Sequence, residues 1–179
     1  MSHAPRAALL AATVLLALPA LAEQPSTGSD PMGGWKPPVV KHADKDRKEL
    51  AAFFKQMQAA SEKGDLEAAA ALVDFPVLMV TDDAKGEAGG EAWTREQWIE
   101  TMKPFYAQPM PAGMTSYAKP TIVLISDSLA LVGTPWTMKM GKGKVTGTSG
   151  LVVIRKGGAW KAKAMVEGGW GDMMAAGQQ

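Results

Sequence analysis

The sequence predicts an α+β domain, with helices first and an antiparallel sheet after them. Two patterns carry this: apolar residues at helical spacing in the first part, then alternating strands divided by Gly-rich turns. Helices grouped ahead of strands build an α+β layer pair rather than a doubly wound parallel sheet. A third observation bounds the size. The chain has 179 residues, 46% hydrophobic and 21% charged, with a net charge of +1. That composition suits one domain with its own core and is far from the signature of disorder.

The first helix is read from Leu50, Phe53, Phe54, Met57 and Ala60, which recur as one buried helical face. Asp44 or Asp46 can accept bonds at its start, and Gly64 is a natural stop. Asp65 caps a short Ala-rich second helix over Leu66–Val73, which Pro76 keeps from continuing. Phe75–Thr81 is a strand by its apolar content, and Asp82-Asp83-Ala84-Lys85-Gly86 is a turn. Thr94-Arg95-Glu96-Gln97 is a capping box. It opens a third helix carrying Trp98, Ile99 and Met102, which Pro104 ends or kinks. A loop containing Pro109, Pro111 and Gly113 follows.

The remainder reads as a meander. Thr121–Ile125 and Leu129–Met140 are strands joined at Ser126-Asp127-Ser128. Gly141-Lys142-Gly143-Lys144 turns the chain into Val145–Lys156, and Gly157-Gly158 turns it into Ala159–Glu167. In that last strand Trp160, Ala162, Ala164 and Val166 alternate onto one face, with Lys161, Lys163 and Glu167 on the other.

Outside this domain, Met1–Arg6 is a short basic opening, Ala7–Leu18 is an apolar run, and Ala20-Leu21-Ala22 is an A-x-A site. This is the layout of a secretory signal peptide over residues 1–22. The apolar run falls short of the ~20 residues a bilayer span needs, so no membrane span is expected. Residues 23–43, rich in Pro and Gly, read as a flexible leader, 44–170 as the domain, and 171–179 as a flexible tail. Glu23 rather than Cys follows the cleavage site, so no lipid anchor is expected. The expected location is the periplasm or the exterior.

Absent residues narrow the chemistry. There is no Cys, hence no disulfide, thiolate nucleophile or Cys-based zinc site. His42 is the one histidine after the signal, which argues against Ser-His-Asp chemistry and multi-His metal sites. Met138, Met140, Met110 and Met114 invite copper ligation, but they lack His or Cys support. No metal and no cofactor are expected. Charge is segregated: residues 23–127 carry sixteen acids and eleven bases, whereas residues 128–166 carry seven bases and no acid. Such a basic meander can attract anions, lipids or a second copy, or simply solvate a sheet face. Nucleic acid is not expected as a partner, since the basic stretch lacks interleaved exposed aromatics.

Several phrases, in order, resemble the nuclear transport factor 2-like superfamily, which includes ketosteroid isomerases, SnoaL-like cyclases and scytalone dehydratases. They are Ala59-Ala60-Ser61-Glu62-Lys63-Gly64-Asp65-Leu66, Val80-Thr81-Asp82-Asp83, Ser126-Asp127-Ser128-Leu129-Ala130 and Arg155-Lys156-Gly157-Gly158-Ala159-Trp160. The resemblance covers about Asp44 to Trp170. It implies a cone-shaped half-barrel, in which helices lid the concave face of a bent sheet, and a homodimer through the outer sheet face. It does not specify an activity, because the fold hosts many.

Two functional readings follow. In the first, Phe54, Trp98, Met102, Trp136 and Met138 line an apolar pocket for a small hydrophobic or amphipathic ligand, although the same spacings also produce ordinary core. In the second, the resemblance to ketosteroid isomerases implies Asp82 as general base with a tyrosine donor, for which Tyr106 and Tyr117 are the candidates and Tyr106 the one expected. Leu129 to Val166 contains no acid, so the strand-borne acid of that site is missing, and Asp82 and Asp83 also suit a solvated turn. No catalytic constellation is identifiable from the sequence, and an exported binding or accessory domain is the favoured expectation.

Overall fold

A break in strand alternation shapes the architecture, and it lies in the last strand. The computed structural model describes residues 36–108, 111 and 113–172, so residues 1–22, expected to be a signal peptide, and most of the expected leader and tail lie outside the described residues. The compact unit beginning at Pro37 contains α1 (Ala43–Glu62), α2 (Leu66–Ala70), β1 (Val73–Asp82), β2 (Ala88–Trp93) and α3 (Arg95–Ala107). There follow β3 (Thr115–Tyr117), β4 (Thr121–Ser126), β5 (Leu129–Met140), β6 (Gly143–Lys156) and β7 (Ala159–Val166).

Local signals act as the sequence predicts. Gly64, at φ 67°, ends α1, and the Asp65 carboxylate accepts from the Ala68 N–H at 2.9 Å to start α2. The Thr94–Gln97 capping box is formed in both directions, at 3.3 and 2.8 Å. Gly157 and Gly158 both take positive φ, 60° and 82°, as the tight β6–β7 turn requires.

Other features differ. Asp46 does not cap α1. It is 2% exposed, and its carboxylate pairs with Arg155 at 2.5 Å. The start of α1 is instead tied to the β4–β5 turn, where Asp127 accepts from the Lys41 N–H at 2.6 Å. Helix α2 stops at Ala70, and β1 begins at Val73 rather than Phe75. Helix α3 runs a turn past Pro104 to Ala107. Ring contacts hold that turn: Phe105 packs on Trp170 at 5.2 Å and Tyr106 on Trp98 at 6.3 Å.

The seven strands form one curved, open sheet of order β2-β1-β7-β6-β5-β3, with β4 also pairing β5. The sheet is mixed rather than wholly antiparallel, because β1 lies parallel to β7. Helix α1 presses Leu50 and Phe53 onto Ala130, Val132, Val153, Trp160 and Ala162. A second cluster joins Ala60, Ala69, Ala70, Val73, Val77, Trp93 and Trp98 under α2 and α3. Arg155 locks α1 to the sheet: besides Asp46 it bonds Glu49 at 2.7 Å and lies 4.4 Å over the Trp160 ring.

Val152 pairs with Ala164 and Val153 with Ala162, so Lys163 is an extra, bulged residue. Up to Ala162 the expected alternation holds. Beyond the bulge it inverts: Met165 and Glu167 face the helices, and Val166 is 41% exposed on the outer face. The Lys163 ammonium reaches a gap in β1 pairing between Val73 and Leu78, bonding the carbonyls of Pro76 at 2.7 Å and Asp74 at 3.3 Å. Carbonyls that have lost a ladder partner thereby gain a charged donor.

Candidate functional site

Three elements converge on a cavity of about 480 Å³. From β1 come Met79 and Thr81, which alternate with the buried Val77. From α3 come Met102 and Phe105, on the same helical stripe as Trp98. From β7 come Met165 and, just beyond it, Glu167, both turned inward by the bulge. Trp93 closes one side. Trp170 closes another: its N–H donates to Thr81 Oγ1 at 2.9 Å, and Gly169 turns at φ 87° to bring it there.

Glu167 is the polar centre of this apolar lining. Its N–H donates to the Val80 carbonyl at 3.0 Å, and its carboxyl accepts from the Ser149 hydroxyl at 3.0 Å. Burial pushes the carboxyl above its ordinary value, against the Ser149 bond and the nearby Trp136 indole, which favour its charged form. The Trp136 Nε1 nevertheless meets no acceptor at hydrogen-bonding geometry, and neither does the buried Thr134 hydroxyl. Burial also raises the Tyr106 and Tyr117 phenols, with Glu167 and Glu62 adding to the effect on Tyr117. A half-buried acid beside hydroxyl and indole groups can form a hydrogen bond with a polar atom of a ligand.

The structure disperses the residues that sequence spacing grouped as a lining. Met102 lines the cavity. Trp98 is 2% exposed and belongs to the core, edge-on to Phe75. Phe54 packs edge-on to Phe53 at 5.6 Å, beside the α1 core. Trp136 lies across Gly147 and lines a separate, more open groove of about 540 Å³ with Tyr117, Pro135 and Thr148. Met138 sits further along β5, opposite Val145 and Thr115. Asp82 does not line the cavity: its carboxylate accepts from the Gly169 N–H at 2.6 Å, fixing the segment that carries Trp170. Tyr106 is half-buried against Trp98 and, like Asp82, does not line the cavity.

The residues that spacing missed are Trp93, Phe105, Met165, Glu167 and Trp170. Alternation from Phe75 to Thr81 could have flagged Met79 and Thr81. No pattern within β7 could have flagged Glu167, because the bulge depends on β6. Among the described residues no cluster of three or more His, Asp or Glu could hold a metal ion, and no helix is long and apolar enough to cross a membrane.

The basic meander is partly neutralised. Arg155 pairs with Asp46 and Glu49, Lys156 and Lys163 pair with Asp74, and Lys161 bonds the Ala71 carbonyl at the end of α2. These contacts hold the Glu49 and Asp74 carboxyls below the ordinary range.

No protein-family model matches the chain, and no curated protein sequence matches it. Solved structures do. An NTF-2 like protein of unknown function from Shewanella oneidensis superposes with TM-score 0.55 at 18% identity, over 68% of this chain and 98% of that one. An NTF2-like protein of unknown function from Pseudomonas putida gives TM-score 0.57 at 11% identity, over 70% and 87%. A putative scytalone dehydratase from Novosphingobium aromaticivorans gives TM-score 0.52 at 13% identity, over 70% and 84%. At these identities the likeness is one of fold, and it agrees with helices packed on a curved, unclosed sheet of seven strands: the chain has the nuclear transport factor 2-like fold.

Proposed function

We propose that this protein binds a small, largely apolar molecule in the cavity beneath α3, anchored by one hydrogen bond to Glu167. The observation that carries the reading is the lining itself: Met79, Met102, Met165, Trp93, Phe105 and Trp170 around the half-buried Glu167. A volume of about 480 Å³ is within the range of small-molecule sites. Met side chains adapt to irregular apolar shapes, and aromatic rings add area at low entropic cost. An anionic ligand would meet no compensating charge there, since the ionisable groups of the lining are the carboxyls of Glu167 and the exposed Glu100.

The chain works as an exported homodimer in this reading, with residues 1–22 removed, 23–43 as leader, 44–170 as the binding domain and 171–179 as tail. Support for the dimer is an apolar row across the outer sheet face: Val123, Leu131, Val152, Ala164 and Leu78 follow one another through the strand pairings. Val123, Leu131 and Leu78 are 48%, 45% and 43% exposed, a patch that a second copy would cover.

The test is saturation binding of an apolar fluorophore to the purified chain, followed by tryptophan energy transfer, with wild type and Met102→Trp compared. The larger ring should fill the cavity and abolish binding while circular dichroism stays unchanged. Equal binding by the two proteins would overturn the assignment of the cavity. Native mass spectrometry of protein taken from its own source would identify the retained molecule.

A further inference from the structure

The long β5–β6 hairpin outruns its neighbours. Strand β3 covers β5 only as far as Met138, and β7 pairs β6 only from Gly150 onward. Beyond Met138 the Lys139 N–H still bonds the Met114 carbonyl at 2.9 Å, and the strands then project as a two-stranded ribbon.

That ribbon carries an unusual set of side chains. Lys139 lies directly opposite Lys144, and Lys142 occupies the turn. All three are exposed, and none has an ion-pair partner among the described residues. Like charges facing each other across strands are destabilising. Each lysine of the pair also guards one free edge of the ribbon, but Lys142 lies in the turn, on neither edge. On the alternate positions stand Met138, Met140 and Val145, with Met140 55% and Val145 44% exposed. The tip is thus basic on one face and in the turn, and apolar on the other. Of the other four bases of the meander, Arg155, Lys156 and Lys163 are ion-paired and Lys161 bonds the Ala71 carbonyl, so three of the four bases without an ion pair lie at this tip.

We propose that the β5–β6 hairpin tip docks on an anionic lipid surface, with Lys139, Lys142 and Lys144 at the headgroups and Met140 and Val145 reaching into the interface. Charge complementarity points to a lipid surface: three cations without ion-pair partners stand beside the exposed apolar Met140 and Val145, a set that suits a surface anionic at its headgroups and apolar beneath them. Each lysine near an anionic surface strengthens partition about fivefold, and a few apolar side chains add to it. Three lysines together are worth about a hundredfold. The inference stands apart from what the cavity holds.

The test is co-sedimentation of the chain, after removal of residues 1–22, with vesicles of phosphatidylcholine alone or mixed with phosphatidylglycerol. Wild type should bind the mixed vesicles, weaken as salt is raised, and ignore pure phosphatidylcholine. A Lys139→Thr, Lys142→Ser, Lys144→Thr variant should lose about a hundredfold in partition. Met140→Ser should bind more weakly at unchanged charge. Equal binding of the triple variant, or binding that ignores lipid charge, would overturn the proposal. So would binding to soluble polyglutamate as tight as to vesicles, which would point to an acidic polypeptide instead. All variants lie on the exposed tip, and near-ultraviolet circular dichroism checks that they fold.

Discussion

Replacing Arg155 with Met keeps the stem of the side chain and removes the guanidinium that joins α1 to β6 and β7. Glu49 loses a partner at 2.7 Å, but at 36% side-chain exposure it can be rehydrated. Asp46 cannot, because its side chain is 3% exposed and its Oδ2 already lacks a partner. The cost is therefore set by an uncompensated buried carboxylate, for which about 3–5 kcal/mol is typical. Loss of the stacking on Trp160 adds about 0.5–1 kcal/mol. Against a total stability of about 5–15 kcal/mol for a domain, the variant folds only marginally. Urea unfolding followed by tryptophan fluorescence reads the effect. At a slope of about 2 kcal/mol/M the midpoint should fall by about 2 M with the slope unchanged. The double variant Asp46→Leu, Arg155→Met removes both charges together and should recover most of the loss. A single-variant loss below about 1 kcal/mol, in the range of exposed pairs, would refute the reasoning. A double variant no better than the single would do the same.

Gly147→Ala would place a methyl group 2.7 Å from Trp136 Cε2, so Trp136 must tilt away; we expect a loss of about 1–3 kcal/mol and a shifted emission maximum. Because burial raises the Glu167 carboxyl, the folded state keeps its proton to higher pH than the unfolded chain does. The stability this group contributes is full below its ordinary value of 4.5 and is lost as pH rises through the folded value. Glu167→Gln should accordingly melt higher than wild type at neutral pH, with the gap closing toward pH 4.5; a pH-independent difference would count against burial of the charge. Thr94→Ala removes the acceptor of the α3 capping box and should cost about 1 kcal/mol in the same urea assay, leaving fluorophore binding intact.

Legibility divides along the range of the interactions. The α3 start, the Gly64 stop, the Asp65 cap and the β6–β7 turn were all readable, because each depends on residues within a few positions of one another. The α1 face was readable for the same reason: helical periodicity lies in the sequence itself. The candidate site was mostly not. Of five residues that spacing put in a pocket, Met102 lines the cavity, while Trp98 and Phe54 join or flank the core and Trp136 and Met138 lie further along β5. Apolar alternation says that a side chain is turned inward and not what it meets there.

The sequence by itself determined the α+β class, the helices and the longer strands, the caps of α2 and α3, the β6–β7 turn and the absence of cysteine chemistry, but not the short strands β2 and β3. Only the tertiary structure decided which faces meet. Arg155 finds Asp46 across 109 positions, β1 docks parallel to β7, and Trp170 folds back onto Phe105. The bulge at Lys163 is the clearest case. One extra residue against β6 inverts the side chains after it, exposing Val166 and turning Glu167 into the cavity. With a period of two, strand register is a property of the pair of strands, so neither strand's sequence alone contains it.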